Sequence, residues 1–261
     1  MGMSSGSAHD VGGTRVKPLR PLAGCLGVLA VANVLNNRVA RRMAPVTSAA
    51  ALTAMLVIVR RHGVTWPELG FLRARRGAAL GGALAAAVAA GYAAGVAIPH
   101  TRAFFHDQRA LGLSRARLLE EALVQVPVGT VLLEEIGFRG VLPALLGRVL
   151  PGPTAAAASA ALFGLWHVLP AVDMAKANPA LGRLAGGSAG ADGPAGADAG
   201  DGRARTARLV AGTVVTTAAA GVLFHELRRR GGLLAPALLH LATNSLGYLA
   251  AHLSAQVRRP A

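Results

Sequence analysis

The sequence is poor in cysteine, in aromatic residues and in charged residues, above all acidic ones. Cys25 is the single cysteine, so no disulfide can form within the chain. Aromatic residues make up 4% of the chain and charged residues 15%, with 12 aspartates and glutamates in all. Soluble domains carry about 25% charged residues, whereas this chain is 53% hydrophobic with a mean hydropathy of +0.46. The composition favours a membrane protein over an ordinary soluble domain.

The charge that is present is mostly positive, with a formal net charge of +15. The arginines do not gather on one face or in one tail. They stand between apolar segments, as expected of loops that meet lipid headgroups at the ends of membrane spans. This distribution argues against nucleic-acid binding, which uses a continuous basic patch or stripe. The arginines concerned are Arg38, Arg41, Arg42, Arg60, Arg61, Arg73, Arg75, Arg76, Arg228, Arg229, Arg230, Arg258 and Arg259.

The N-terminal region predicts a tail followed by a retained anchor. Residues 1–20 are polar and glycine-rich, and we expect them to be disordered. Residues 22–25 (LAGC) look like a lipoprotein cleavage box, but the apolar stretch follows them instead of preceding them, so lipidation is not expected. No small-residue cleavage site closes the apolar run, which favours an anchor over a cleaved signal peptide. Cys25 is then a buried thiol of the first span.

Long apolar segments dominate the rest of the chain. A membrane-crossing helix needs about 20 mostly apolar residues, and the sequence predicts an all-α, multi-span transmembrane helical bundle of about seven or eight helices in a single domain. Residues 99–117 form a polar, basic connection, and the Gly-, Ala- and Asp-rich stretch 173–207 is expected to be a mobile loop. The predicted spans are 21–36, 44–59, the Ala- and Gly-rich 78–98, 118–136 with a break at Pro127, 154–172, 208–226 and 232–254, with 141–150 as a shorter, re-entrant segment.

Two adjacent glutamates end one of these apolar runs. A charged side chain at the centre of a span costs about 2.5–3.5 kcal/mol to insert and is a functional candidate by default. Glu134 and Glu135 point about 100° apart on a helix, so they cannot share one role. Glu135 lies four residues before Arg139, which is the favourable order for an ion pair. Glu134 is left without a local partner and suits a general base.

Three further polar residues lie within or at the ends of the apolar segments: His167, His240 and Asn244. His240 and Asn244 are four residues apart and therefore project from one side of a helix. A glutamate can take a proton from water, while histidine and asparagine can donate to a developing oxyanion. Histidines and a carboxylate can instead hold a metal ion that activates the water. Neither the two-histidine zinc helix nor a Gly-x-Ser-x-Gly elbow occurs, and the spacing leaves both chemistries open.

Three short motifs follow one another on successive apolar segments. Residues 134–139 (EEIGFR) fit E-E-x-x-x-R, residues 163–167 (FGLWH) fit F-x-x-x-H, and residues 240–244 (HLATN) fit H-x-x-x-N. Together they resemble the CPBP family (CAAX protease and bacteriocin-processing, also called Abi) of intramembrane proteases, which includes the type II CAAX prenyl endopeptidases. The resemblance covers about residues 118–254, so that 21–117 precede a catalytic core at 118–256. The loop at 173–207 and the heavy alanine enrichment depart from the family's pattern.

The resemblance implies a multi-pass protein of the cell membrane that cuts a peptide bond at the membrane face. Glu134 would activate a water molecule with help from His167, and His240 and Asn244 would stabilise the oxyanion. The implied partners are membrane lipids and a peptide or protein substrate, with no nucleic acid. Prenylated CAAX proteins, bacteriocin processing, regulatory proteolysis and self-protection all remain open as substrate or purpose.

The resemblance also assigns supporting roles. Glu135, Arg139 and Phe163 would support the site, with Phe163 one helical turn before His167. If the enzyme uses a divalent metal such as zinc, its ligands would be Glu134, His167 and His240.

Two other functions compete with the protease. In a non-catalytic scaffold or bacteriocin-immunity protein of the same fold, His240 and Asn244 would be a hydrogen-bonded pair between helices, and Trp166 an ordinary residue of the interfacial belt. A transporter would use intramembrane Glu and His side chains to relay protons, but the sequence shows none of the internal repeats common in that class. Convergence of Glu134 with His167, His240 and Asn244 discriminates the protease from the scaffold, in which Glu134 would lie far from both histidines.

Overall fold

The computed structural model describes residues 19–105, 108–177 and 199–257, and within these ranges it contains helices and turns but no β-strand. The predicted all-α bundle is therefore confirmed. Of the tail predicted at 1–20, residues 1–18 lie outside the described ranges, as do residues 178–198 of the loop predicted at 173–207. The loop prediction was wrong for its two ends, which are helical up to residue 177 and from residue 199. These two ends are helical because they are rich in alanine, lysine and arginine, which are good helix formers.

The described residues form eleven α-helices. Two are extended by irregular turns: a π-helical turn at Leu35–Val39 ends the first, and a 3₁₀ turn at Arg41–Met43 precedes the second. The α-helices are α1 (Leu19–Val34), α2 (Ala44–Arg61), α3 (Ala74–Ala97), α4 (Gln108–Leu111), α5 (Arg115–Glu120), α6 (Leu132–Glu134), α7 (Leu142–Leu146), α8 (Gly152–Trp166), α9 (Val168–Ala177), α10 (Ala199–Gly231) and α11 (Leu234–Gln256).

Five helical segments in the described part of the chain are long and apolar enough to cross a membrane: Leu19–Val39, Arg41–Arg61, Ala74–Ala97, Gly152–Ala175 and Gly202–Gly231. They coincide with five of the predicted spans. The other two predicted spans, 118–136 and 232–254, are helical but are not among these five. These two segments carry Glu134, His240 and Asn244, and their polar residues lower the hydropathy on which a span is recognised.

Residues 115–146 form one continuous helical segment whose geometry changes along its length. Two π-helical stretches, Glu121–Val131 and Glu135–Val141, flank the single turn of α6 that holds Glu134. The break predicted at Pro127 does not occur. Instead the helix widens, and a π-helix pairs each carbonyl with the N–H five residues later.

Prolines remove two of those N–H donors, and serines from other helices replace them. Pro127 has no N–H to give to the carbonyl of Ala122, and Ser245 Oγ of α11 donates to that carbonyl at 2.7 Å. Pro143 likewise cannot serve the carbonyl of Phe138, which accepts from Ser159 Oγ of α8 at 2.6 Å. The two serines satisfy buried carbonyl groups and tie the glutamate-bearing segment to α8 and α11.

Glycines let α3 closely approach the end of α10 and the start of α11. A Cβ atom at Gly77 would stand 2.4 Å from the carbonyl oxygen of Gly231, and one at Gly81 would stand 2.8 Å from that of Ala235. Both distances are too short for any side chain. The Ala- and Gly-rich composition of α3 had predicted such close packing, which is a common device between membrane helices.

Candidate active site

Glu134 is buried at the centre of the bundle, with 4% of its surface exposed. Its Oε1 accepts a hydrogen bond from Trp166 Nε1 at 2.8 Å. Its Oε2 is buried and has no hydrogen-bond partner in the described structure. A buried carboxylate oxygen without a donor is costly, so this atom marks a position where a polar group is expected to bind.

Two imidazoles face the free oxygen of Glu134. His240 Nε2 lies 3.7 Å from Oε2, and His167 Nε2 lies 4.0 Å from it. Both separations exceed a direct hydrogen bond. The predicted convergence of Glu134, His167 and His240 is therefore observed, from three segments that are far apart in sequence.

The far side of each imidazole is held by an acceptor. His167 Nδ1 lies 2.8 Å from the carbonyl oxygen of Phe163, and His240 Nδ1 lies 2.7 Å from Glu135 Oε1. Because a carbonyl or carboxylate oxygen can only accept, these contacts assign the proton to Nδ1 in both rings. Each ring therefore turns Nε2 toward Glu134, where this atom accepts if the ring is neutral and donates if the ring is protonated.

Glu135 and Arg139 form the ion pair that their spacing predicts. Arg139 Nη1 lies 3.4 Å from Glu135 Oε1, and Arg139 is 1% exposed. Its guanidinium carbon stands 3.7 Å from the ring centre of Phe163 and 4.7 Å from that of Phe224. Aromatic faces attract a cation, most strongly where water is excluded. The same oxygen of Glu135 thus joins the buried arginine to His240.

Aromatic rings fix the positions of both histidines. Phe163 packs edge-on against His167 with ring centres 4.6 Å apart, as its spacing suggested. Phe224 of α10 lies against His240 with ring centres 5.3 Å apart. Phe224 was not predicted, because its contacts are made across helices and no local spacing indicates them.

Trp166 belongs to the site and is not an interfacial belt residue. It is buried, and its indole N–H donates to Glu134. The interpretation as a belt residue was wrong because α8 is packed against the bundle at this level. The sequence signal that could have placed Trp166 in the site was its position directly before His167, because neighbouring residues at the end of a helix can reach the same site.

Asn244 is placed differently from the other candidates. It is half-buried one turn beyond His240 and forms no hydrogen bond within the described ranges. Its neighbours on α11 are held firmly: Tyr92 donates to the carbonyl of Thr243 at 2.9 Å, and Ser245 donates to that of Ala122. The structure thus fixes the backbone around Asn244 but forms no hydrogen bond between its side chain and Glu134.

The metal alternative has limited support from the side chains. No group of three or more His, Cys, Asp or Glu side chains able to hold a metal ion occurs among the described residues. The unpartnered Oε2 of Glu134 and the two Nε2 atoms are suitable ligand atoms by type, and their separations of 3.7 and 4.0 Å are wider than the about 3.3 Å between the ligands of a tetrahedral zinc ion.

The arrangement of motifs can now be compared with known families. A family model described as "Rce1-like: Type II CAAX prenyl endopeptidase Rce1-like" matches residues 121–246. The chain carries an Rce1-like domain of the CAAX protease family. The predicted family is therefore confirmed. No curated protein and no solved structure matches the chain.

The Rce1-like domain contains every candidate site residue. It begins at Glu121, where the π-helical stretch Glu121–Val131 starts, and ends within α11, just after Asn244. The helices α1, α2 and α3 precede it, although α1 and α2 contribute to the same buried core. Together with the five apolar helices, the Rce1-like family indicates an integral membrane protein.

Proposed function

We propose that this protein is a multi-pass endopeptidase of the cell membrane that hydrolyses a peptide bond with a water molecule activated by Glu134. The observation that carries the proposal is the buried, unpartnered Oε2 of Glu134 facing the Nε2 atoms of His167 and His240. Glu134 Oε2 and a neutral His167 Nε2 can both accept, and a water molecule has two hydrogens to give them. Membership of the Rce1-like family supports the same reaction class.

The first step transfers a proton from water. Glu134 Oε2 accepts the proton while the water oxygen bonds to the carbonyl carbon of the scissile peptide. The hydrogen bond from Trp166 to Oε1 holds the carboxylate in orientation. His167, fixed by Phe163, accepts the second hydrogen of the water and aligns it for attack.

The second step stabilises the oxyanion and releases the amine. The buried group contains two carboxylates and one guanidinium, so one added proton on His240 makes it electrically neutral. A protonated His240, held by Glu135, donates from Nε2 to the oxyanion, and Asn244 adds a second donor. The carbon–nitrogen bond then breaks, and Glu134 returns its proton to the leaving nitrogen.

Glu135, Arg139 and Phe163 hold this arrangement without touching the reacting atoms. Glu135 orients His240, and Arg139 balances the charge of Glu135 between two aromatic rings. Removing one partner of a buried ion pair leaves an uncompensated charge, which costs about 3–5 kcal/mol. These residues are therefore proposed as supports of the site.

A divalent metal such as zinc remains an alternative to a free water. Its ligands would be Glu134, His167 and His240, and it would supply Lewis-acid activation of water there. Treatment of the purified protein with a strong chelator decides between the two. Undiminished cleavage is expected from the free-water reaction, and cleavage that is lost and then restored by zinc would establish the metal.

A non-catalytic scaffold is the competing function. It predicts that Glu134 lies away from the histidines, which is not the arrangement found. The proposed partners of the enzyme are membrane lipids and a peptide or protein substrate. A CAAX substrate follows from the description of the family, and no residue described above identifies a pocket for a prenyl group.

The test uses purified protein in lipid vesicles with a quenched fluorescent CAAX peptide, with and without a farnesyl group. Glu134→Gln is expected to lower kcat by about 10²- to 10⁴-fold, the usual share of a general base. Glu121→Gln is the matched control, because Glu121 lies on the same helical segment but pairs with Arg117. Wild-type rates in Glu134→Gln would refute the role of Glu134, and comparison of the two peptides shows whether the prenyl group is recognised.

A further inference from the structure

The helix is interrupted between α8 and α9, at the level of the site residues Trp166 and His167. α8 ends at Trp166, and His167 adopts φ −84° and ψ 1° before α9 begins at Val168. Pro170 lies four residues after Trp166 and has no N–H, so it cannot donate to the Trp166 carbonyl as a helix would require. This carbonyl therefore needs a donor from elsewhere.

Asn33 of α1 supplies that donor. Its Nδ2 donates to the carbonyl oxygen of Trp166 at 2.8 Å, across 133 residues of sequence. The side chain of Asn33 is buried, and its Oδ1 accepts from Asn37 Nδ2 at 3.2 Å. Because the carboxamide oxygen is engaged by Asn37, the amide nitrogen is the atom turned toward α8.

We propose that Asn33 is a positioning residue for the peptidase site, acting through the peptide that joins Trp166 to His167. This inference rests on the proposed function of Glu134. The hydrogen bond from Asn33 fixes the plane of that peptide, and the plane sets the direction of both side chains. Trp166 then reaches Oε1 of Glu134, and His167 Nε2 faces Oε2.

The proposal extends the site beyond the segment that the family model matches. Asn33 lies on the first helix, far outside the Rce1-like match at residues 121–246. A buried asparagine in an apolar helix is costly unless it is hydrogen-bonded. The orphaned carbonyl of Trp166 gives Asn33 its partner, and α1 thereby becomes part of the catalytic unit.

Tryptophan fluorescence tests the proposal without relying on activity. The chain has two tryptophans, and Trp66 is exposed in the turn between α2 and α3. In a Trp66→Phe background, Trp166 is the single reporter. Asn33→Leu keeps the bulk of the side chain but removes the donor, and we expect a shifted emission maximum and stronger quenching by acrylamide.

Two variants separate this effect from a general loss of packing. Asn36→Leu, the control, removes hydrogen bonds to Ser48 and to the Gly129 carbonyl from the same end of α1 and should leave the emission of Trp166 unchanged. Asn37→Ala leaves Asn33 in place but frees its amide to rotate, and a smaller shift in the same direction is expected. Asn37→Ala also keeps the test valid if Asn33→Leu does not fold.

The kinetic readout distinguishes positioning from binding. Misplacement of catalytic groups by about 1 Å costs on the order of 100-fold in rate, so Asn33→Leu should lower kcat by about 10- to 100-fold and leave KM nearly unchanged. Unchanged emission and kcat in Asn33→Leu, or equal changes in Asn36→Leu, would overturn the proposal. If Glu134→Gln remained active, the proposed reaction would fail, while the emission of Trp166 would still report whether Asn33 orients it.

Discussion

Adjacent carboxylates in this protein have opposite surroundings. Glu135 shares Oε1 between His240 and Arg139, so its negative charge is compensated within the bundle, although its Oε2, like that of Glu134, has no hydrogen-bond partner in the described structure. Glu134 accepts a single hydrogen bond, from Trp166, and keeps one oxygen free beside two imidazoles. The difference arises from the 100° rotation between neighbouring residues of a helix. Glu135 therefore holds His240 and Arg139 in place, and Glu134 is available to accept a proton.

Substitution of Asn244 tests whether this side chain donates to the oxyanion. Asn244→Ala is expected to lower kcat by about 100-fold or more with little change in KM, because an oxyanion donor acts mainly in the transition state. Steady-state kinetics on the CAAX peptide measure both parameters. His252→Ala, further along α11, is the control and should retain wild-type kinetics. A raised KM with unchanged kcat in Asn244→Ala would assign Asn244 to substrate binding instead.

At the scale of residues, the sequence predicted what depends on local spacing. The ion pair of Glu135 with Arg139 and the packing of Phe163 on His167 both follow from a separation of four residues. Trp166, Phe224 and Asn33 were not predicted, because their contacts join helices that are distant in sequence. Such contacts depend on the packing of the whole bundle, which no local pattern encodes.

At the scale of elements, two prolines shape the helical segment that carries Glu134. Pro127 and Pro143 leave carbonyls without their π-helical donors, and Ser245 and Ser159 complete them from α11 and α8. The sequence predicted a break at Pro127. It did not predict a widened helix, because the serines that make the π-helix tolerable come from other parts of the chain.

The contact between α8 and α10 gives a prediction for a glycine beside the site. A Cβ atom at Gly164 would stand 2.5 Å from the carbonyl oxygen of Val214, so Gly164→Ala must push the two helices apart. We expect a loss of about 1–3 kcal/mol in stability, the usual cost of overpacking, seen as a lower Tm in detergent. Gly212→Ala is the matched control on α10, because a Cβ there meets no atom within 4 Å. Equal Tm values for the two variants would contradict the described packing.

At the scale of the whole molecule, apolar helices surround a polar centre. The sequence predicted seven spans and one shorter segment, and five of the described helices are long and apolar enough to cross a membrane. The polar residues of the remaining two segments are the reason that hydropathy identifies them poorly, and they are also the residues that form the site. The family was recognisable from the order of three motifs, whereas the convergence of their side chains required the structure.

The central claim is that Glu134 activates water for peptide hydrolysis in the membrane. It is tested most directly by comparing the peptide termini of the membrane proteome in cells that express wild-type protein, Glu134→Gln or Glu121→Gln at equal levels. The account predicts a set of new termini in wild-type and Glu121→Gln cells that is absent from Glu134→Gln cells. An identical set of termini in all three would contradict it.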